Sequence, residues 1–233
     1  MRGLGMRQVG VFMNRKARRA AARHGQLEKT IFVHEAGHCV GRVLVAGSLG
    51  WDIHEAIDGI DILPNSEATT WGRFFSKPME EFLRARMPEK FEVESSIPPA
   101  DVRALAPEIR AAGIDLPWWF RAKSIELIFG PMAEAKLLSK PFENVWGAKT
   151  SEDDRKGVLR AGFICGMNVA EIEEETNKSM VIVENLMATR PELRHAISAL
   201  ADTLKFGYND GHTAVGVIAA TLMKSGAIPQ LKP

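Results

Sequence analysis

His34-Glu35-Ala36-Gly37-His38 sets the tightest limit on how this chain can fold. On an α-helix, residues four apart lie on one face about a turn from each other. Two imidazoles so placed can bind one Zn²⁺ together, at about 2.0–2.1 Å each. Glu35 stands beside the first ring, where it can reach a water rather than the ion. Zinc brings the pKa of such a water to near 7, and the carboxylate can take its proton. The competing explanation is a helix with two hydrogen-bonded histidines and no metal. If the string is a metal site, a third protein ligand must come from elsewhere, because catalytic zinc takes three and keeps one position open. The longer pattern HExxHxxGxxH does not supply it: Gly41 is in place, but Leu44 stands where the third histidine belongs.

The composition adds mainly exclusions. At 233 residues, with 45% hydrophobic and 25% charged residues, the chain reads as one soluble domain with an appendage. Cys39 and Cys165 cannot make a disulfide scaffold or a cysteine-only zinc site. They read as small hydrophobes. The longest apolar run, near 39–49, is broken by Arg42, so no membrane span is expected. No apolar segment suited to secretion follows the first arginines, and a cytoplasmic location is expected. Neither GxxxxGK[ST] nor GxGxxG occurs, so nucleotide binding has no support.

The charge is uneven. Of 30 basic and 29 acidic residues, eight and one fall in residues 1–29, leaving 22 and 28 in residues 30–233, a net of −6. Residues 1–28 therefore read as a basic arm, rich enough in Ala and Arg to favour a helix, ahead of a single domain over 29–233. A solvated tail, a transit peptide and a nucleic-acid contact are the three roles such an arm can have.

Along the body, residues 29–46 read as a helix and Ala56–Leu63 alternates as a half-buried strand. Thr69–Phe75 is the expected antiparallel partner. Pro78, Pro88, Pro98, Pro99, Pro107 and Pro117 divide residues 76–117 into an irregular, partly helical insertion. Helices are expected over Trp118 to about Leu138, bent or split at Pro131, and over 151–164, 169–188, 191–205 and 210–224. Ser151 is the expected N-cap of the second of these, with Asp154 at the capping-box position. The fold class is thus α+β, mainly α, with a sheet of two or three strands after the HExxH helix. Trp118-Trp119-Phe120 reads as core or helix-docking surface. His54, His195 and His212 lack ligand spacing.

Val33-His34-Glu35-Ala36-Gly37-His38-Cys39-Val40 resembles the HEAGH helix of FtsH-type zinc metalloproteases. Further stretches agree in order. Ile60-Asp61-Ile62-Leu63-Pro64 with Trp71-Gly72-Arg73 resembles the family's strand pair, and Ile128–Ala135 its LGGRxAEE helix. Gly147–Asp154 resembles its GAxxD stretch, and Arg190–Gly211 its closing helices. Coverage is about residues 28–225. The ATPase module, the transmembrane segments and the arginine-containing pair at Pro131-Met132 are departures, and 76–117 is an insertion relative to the family.

The resemblance implies a metalloendopeptidase whose Zn²⁺ is held by His34, His38 and an aspartate, with Glu35 as general base. The aspartate is doubled here. Adjacent helical residues point about 100° apart, so only one can face the metal. The family pattern selects Asp153, with Asp154 the alternative. Glu134 falls where the family has a glutamate, either accepting a hydrogen bond from a ligand imidazole or lying exposed. The implied partners are an unfolded or flexible polypeptide, bound as an added strand near Thr69–Phe75, and a separate ATPase. A rival expectation is a catalytically idle metal-binding module whose basic arm contacts nucleic acid or another acidic partner.

Overall fold

The computed structural model describes residues 15–48, 52–62, 85 and 104–223. The HExxH string lies inside one long helix, α1 (Arg15–Ser48), which runs through the Ala/Arg-rich stretch without a break at residue 28. Val33, Ala36, Val40, Val43 and Leu44 are buried at the i, i+3, i+4 spacing of a core-facing stripe. Gly37 and Gly41 occupy a second stripe on the same helix, and α3 packs there.

α2 (Ala106–Ala111) is short and leads into α3 (Leu116–Leu137). The first turn of α3 is set by Asp115, whose side chain accepts from the Trp118 N–H at 3.1 Å, and by Pro117, whose missing N–H costs nothing there. The helix continues through Pro131, so the proline costs the bond to the Leu127 carbonyl without ending the element. α1 and α3 lie unusually close. A Cβ on Gly37 would stand 2.6 Å from the Phe129 carbonyl oxygen and 2.7 Å from the Ala133 Cβ.

α4 (Phe142–Trp146) and a 3-10 turn at Lys149–Ser151 lead to α5 (Glu152–Ile164). Ser151 is at the N-cap position of α5 but makes no capping hydrogen bond, and its buried hydroxyl has no partner among the described residues. Arg155 fastens this entry instead, donating to the carbonyls of Trp146 and, at 3.0 Å, Ala148. α6 (Val169–Thr189) opens with a reciprocal capping box, Asn168 with Glu171. α7 (Pro191–Ala201) and α8 (Gly211–Met223) complete the helices.

Two cores result, both built on α3. The larger joins α1, α3, α7, α8 and the strand residues Ile60 and Ile62. The smaller joins α2, α3, α5 and the start of α6 around Ile109, Leu116, Phe120, Val158 and Ile172. Trp118 packs on the first and Trp119 on the second, while Phe120 is fully buried, so the aromatic triplet is core, as expected. Both cysteines are buried and free.

The mainly helical α+β class holds, with a two-stranded antiparallel sheet. β1 (Gly59–Ile62) lies within the expected strand, but it pairs with β2 (Gly207–Asp210), Gly59 opposite Asp210 and Ile62 opposite Gly207. Asn209 secures the return by accepting from the Lys205 N–H at 3.0 Å and donating to the Lys205 carbonyl at 2.8 Å. The partner strand expected at Thr69–Phe75, and most of the 76–117 insertion, lie outside the described residues. No helix among the described residues is long and apolar enough to cross a membrane.

Candidate metal centre

His34 and His38 project from the face of α1 that meets α3, and α5 brings Asp154 against both rings. The close helix contact is what makes room. A Cβ on Gly130 would stand 2.3 Å from His38 Nε2, so the ring rests directly on the backbone of α3. The rings meet edge to face, with centroids 4.8 Å apart.

Each ring is held by its Nδ1. His34 Nδ1–H donates to Glu134 Oε2 at 3.3 Å, and Lys140 Nζ grips the other Glu134 oxygen at 2.7 Å. His38 Nδ1–H donates to the backbone carbonyl of Glu126 at 3.0 Å. These bonds choose the tautomer and aim both Nε2 atoms inward. There they converge on one carboxylate: His34 Nε2 is 3.1 Å from Asp154 Oδ2, and His38 Nε2 is 3.1 Å from Asp154 Oδ1.

The chain therefore brings together His34, His38 and Asp154, and the choice of Asp153 is corrected. Asp153 keeps a side chain 33% exposed, 3.7 Å from Lys156. Asp154 shares the inner stripe of α5 with Val158 and Ala161, one and two turns on, whereas Asp153 points toward the Lys156 side. Nor does Asp154 serve as a capping-box acid, because its carboxylate is turned away to the histidines. Glu134 is buried and bonded to His34, the first of its two expected placements. His54, His195 and His212 are exposed and take no part.

Electrostatics bind the three groups tightly. Burial alone would depress the His34 imidazole, but its hydrogen bonds to Asp154 and Glu134, with the charges of Asp154 and Glu35, outweigh it and lift the ring to about 10. His38 is likewise raised against its burial, chiefly by Asp154. Burial would push the Asp154 carboxyl up, yet the two imidazoles hold it well below its ordinary value. The same competition, won by His34 and Lys140, holds Glu134 low.

His34, His38 and Asp154 are buried and close enough together to hold a metal ion, one ligand atom from each lying within 4.8 Å of the others. Two imidazole nitrogens and a carboxylate oxygen are a donor set that zinc accepts, and ligands about 2.0–2.1 Å from a tetrahedral ion stand roughly 3.3–3.4 Å apart. Each ring stands near that spacing from its own Asp154 oxygen, His34 Nε2 at 3.1 Å from Oδ2 and His38 Nε2 at 3.1 Å from Oδ1. Glu35, next to His34 and 2% exposed, adds its charge to both rings.

Three contributors are absent from the motif reading. The carbonyl of Glu126 is main chain and carries no residue-type signal. Lys140 acts from beyond the end of α3, at no recognisable spacing. Arg42 had a signal: a charge in the apolar run 39–46 of a buried helix needs a buried partner. It finds Glu126 Oε2 at 3.1 Å.

No protein-family model, no curated protein and no solved structure matches this chain.

Proposed function

We propose that the chain is a zinc-dependent endopeptidase that hydrolyses peptide bonds in unfolded or flexible polypeptides, as its motif resemblance to FtsH-type metalloproteases implies. The observation that carries this reading is the convergence of His34 and His38 Nε2 on the Asp154 carboxylate, with a buried Glu35 beside them.

His34, His38 and Asp154 would hold the ion. Bound there, zinc would supply a Lewis acid that polarises a peptide carbonyl and acidifies a water. Glu35 takes the proton of the attacking water and returns it to the departing amine, the double duty of a general acid–base. Glu134 and the Glu126 carbonyl keep the two imidazoles in the tautomer that faces inward. Arg155 holds the turn from which Asp154 enters. Residues as buried as these suit an extended chain that can thread a single carbonyl inward, so intact globular proteins are poor substrates unless a separate ATPase unfolds them.

Casein or fluorogenic peptide hydrolysis by the wild type and by Glu35→Gln, with zinc content measured on both, tests the reading. Glu35→Gln should keep its zinc and lose about 10²–10⁴-fold in turnover. Equal activity in the two proteins would sink the enzyme, and zinc without cleavage of any unfolded substrate would favour the idle module.

A further inference from the structure

Arg42 lies one helical turn beyond His38 on α1, so both residues face α3. Both reach the same residue there by different routes. His38 Nδ1–H donates to the main-chain carbonyl of Glu126 at 3.0 Å, and Arg42 Nη1 donates to the Glu126 side chain at 3.1 Å. The second Glu126 oxygen accepts from Lys123 Nζ at 3.0 Å, and Arg42 Nε donates to the Ala56 carbonyl at 3.0 Å. Arg42 is 2% exposed and Glu126 1%.

Burying two opposite charges is costly, and a well-packed apolar pair of the same volume often serves stability as well or better. An apolar pair cannot, however, fix the rotation and height of Glu126 on α3 against α1. That setting decides where the Glu126 carbonyl stands, and with it the ring plane of His38. The link to Ala56 extends the hold to the segment that enters β1, which starts three residues later.

We infer that Arg42 is a positioning residue for the metal centre: by clamping the Glu126 side chain it sets the Glu126 carbonyl that aims His38 Nε2 at the ion. The inference rests on the reading of His34, His38 and Asp154 as metal ligands, and it is independent of whether the bound metal cleaves peptides.

The test compares the full chain, Arg42→Lys and the double variant Arg42→Met/Glu126→Gln, which removes both charges at similar volume. Zinc affinity is measured by competition with a chromophoric chelator. The visible absorption of the Co²⁺-substituted proteins reports ligand geometry, and thermal unfolding of the metal-free proteins reports the fold. The double variant should unfold near the wild-type temperature yet bind zinc 10–100-fold more weakly, the usual cost of losing a group that orients a ligand, with an altered cobalt spectrum. Arg42→Lys keeps a cation against Glu126 and should stay within a few-fold of wild type. If the double variant does not fold, Arg42→Met alone decides, its Glu126 still paired with Lys123: a loss of 10-fold or more with an altered spectrum in a normally folded protein supports the clamp, and wild-type affinity and spectrum overturn it. Wild-type affinity and spectrum in the double variant overturn the inference alone. Failure of the unaltered chain to bind zinc overturns the site reading and the inference together.

Discussion

Asp154→Asn preserves the shape of a side chain while removing the charge that two buried imidazoles lean on. Zinc affinity should fall by at least about 100-fold, since a direct ligand is worth no less than the groups that orient it. Asp153→Asn, at a partly exposed position beside Lys156, should stay within about two-fold of wild type. Chelator competition on the two variants measures the contrast. The difference between these neighbours was readable from α5 itself. Counting back by turns from the apolar residues Ala161 and Val158 reaches Asp154, while Asp153 falls with Lys156 and Arg160. The family pattern points to Asp153, whereas the helical period points to Asp154, the carboxylate that meets the two histidines. The histidine pair was legible from its helical spacing, and Glu134 only through the family resemblance, which places a glutamate there. The support behind His38 was not, because it passes through a peptide carbonyl.

Glycines decide how closely α1 and α3 approach, and they do so unequally. Gly37→Ala would gain about 1 kcal/mol in helix propensity but drive a methyl to 2.6 Å from the Phe129 carbonyl. Overpacking of this kind costs about 1–3 kcal/mol, and main chain cannot step aside as a side chain can. Denaturant titration should therefore show a net loss of stability. Gly216→Ala, on an exposed face of α8 with nothing within 4 Å among the described residues, should show the propensity gain alone, about 0.5–1 kcal/mol. α3, α5, α6 and α8 were legible within two residues because apolar periodicity and caps agree, while α7 ends four residues before its expected end. β2 was not: Gly207-Tyr208-Asn209-Asp210 has one strand-forming residue among three turn-formers, and only its pairing with β1 makes it a strand. α1 was read too short, since the change in charge at residue 28 suggested a boundary that the backbone does not have.

At the scale of the whole molecule, pH and metal pull in opposite directions. The His34 imidazole is raised from 6.5 to about 10, so its contribution to metal-free stability is complete below about 6.5 and lost as pH climbs through 10. The Asp154 carboxyl is depressed, so its contribution is present above its ordinary 3.8 and lost on acidification below that. Metal-free protein should therefore be most stable between about pH 4 and 6.5 and weaken toward alkaline pH. Zinc must displace the histidine protons, so its affinity should rise from pH 6 to 9. Calorimetric titration at pH 7 in buffers of different ionisation enthalpy should show release of at least one proton per ion. Binding heats independent of the buffer would contradict the protonated cluster.

His34 and Asp154 are 120 residues apart. A ribosome adding about 5–20 residues each second spends roughly 6–24 s between the two codons. During that interval the growing polypeptide displays a bare histidine pair with nothing to complete it. On the proposed reading, the third ligand arrives only after α1, α3 and the entry to α5 have all emerged and docked, and the nascent chain would be spared hydrolysis until then.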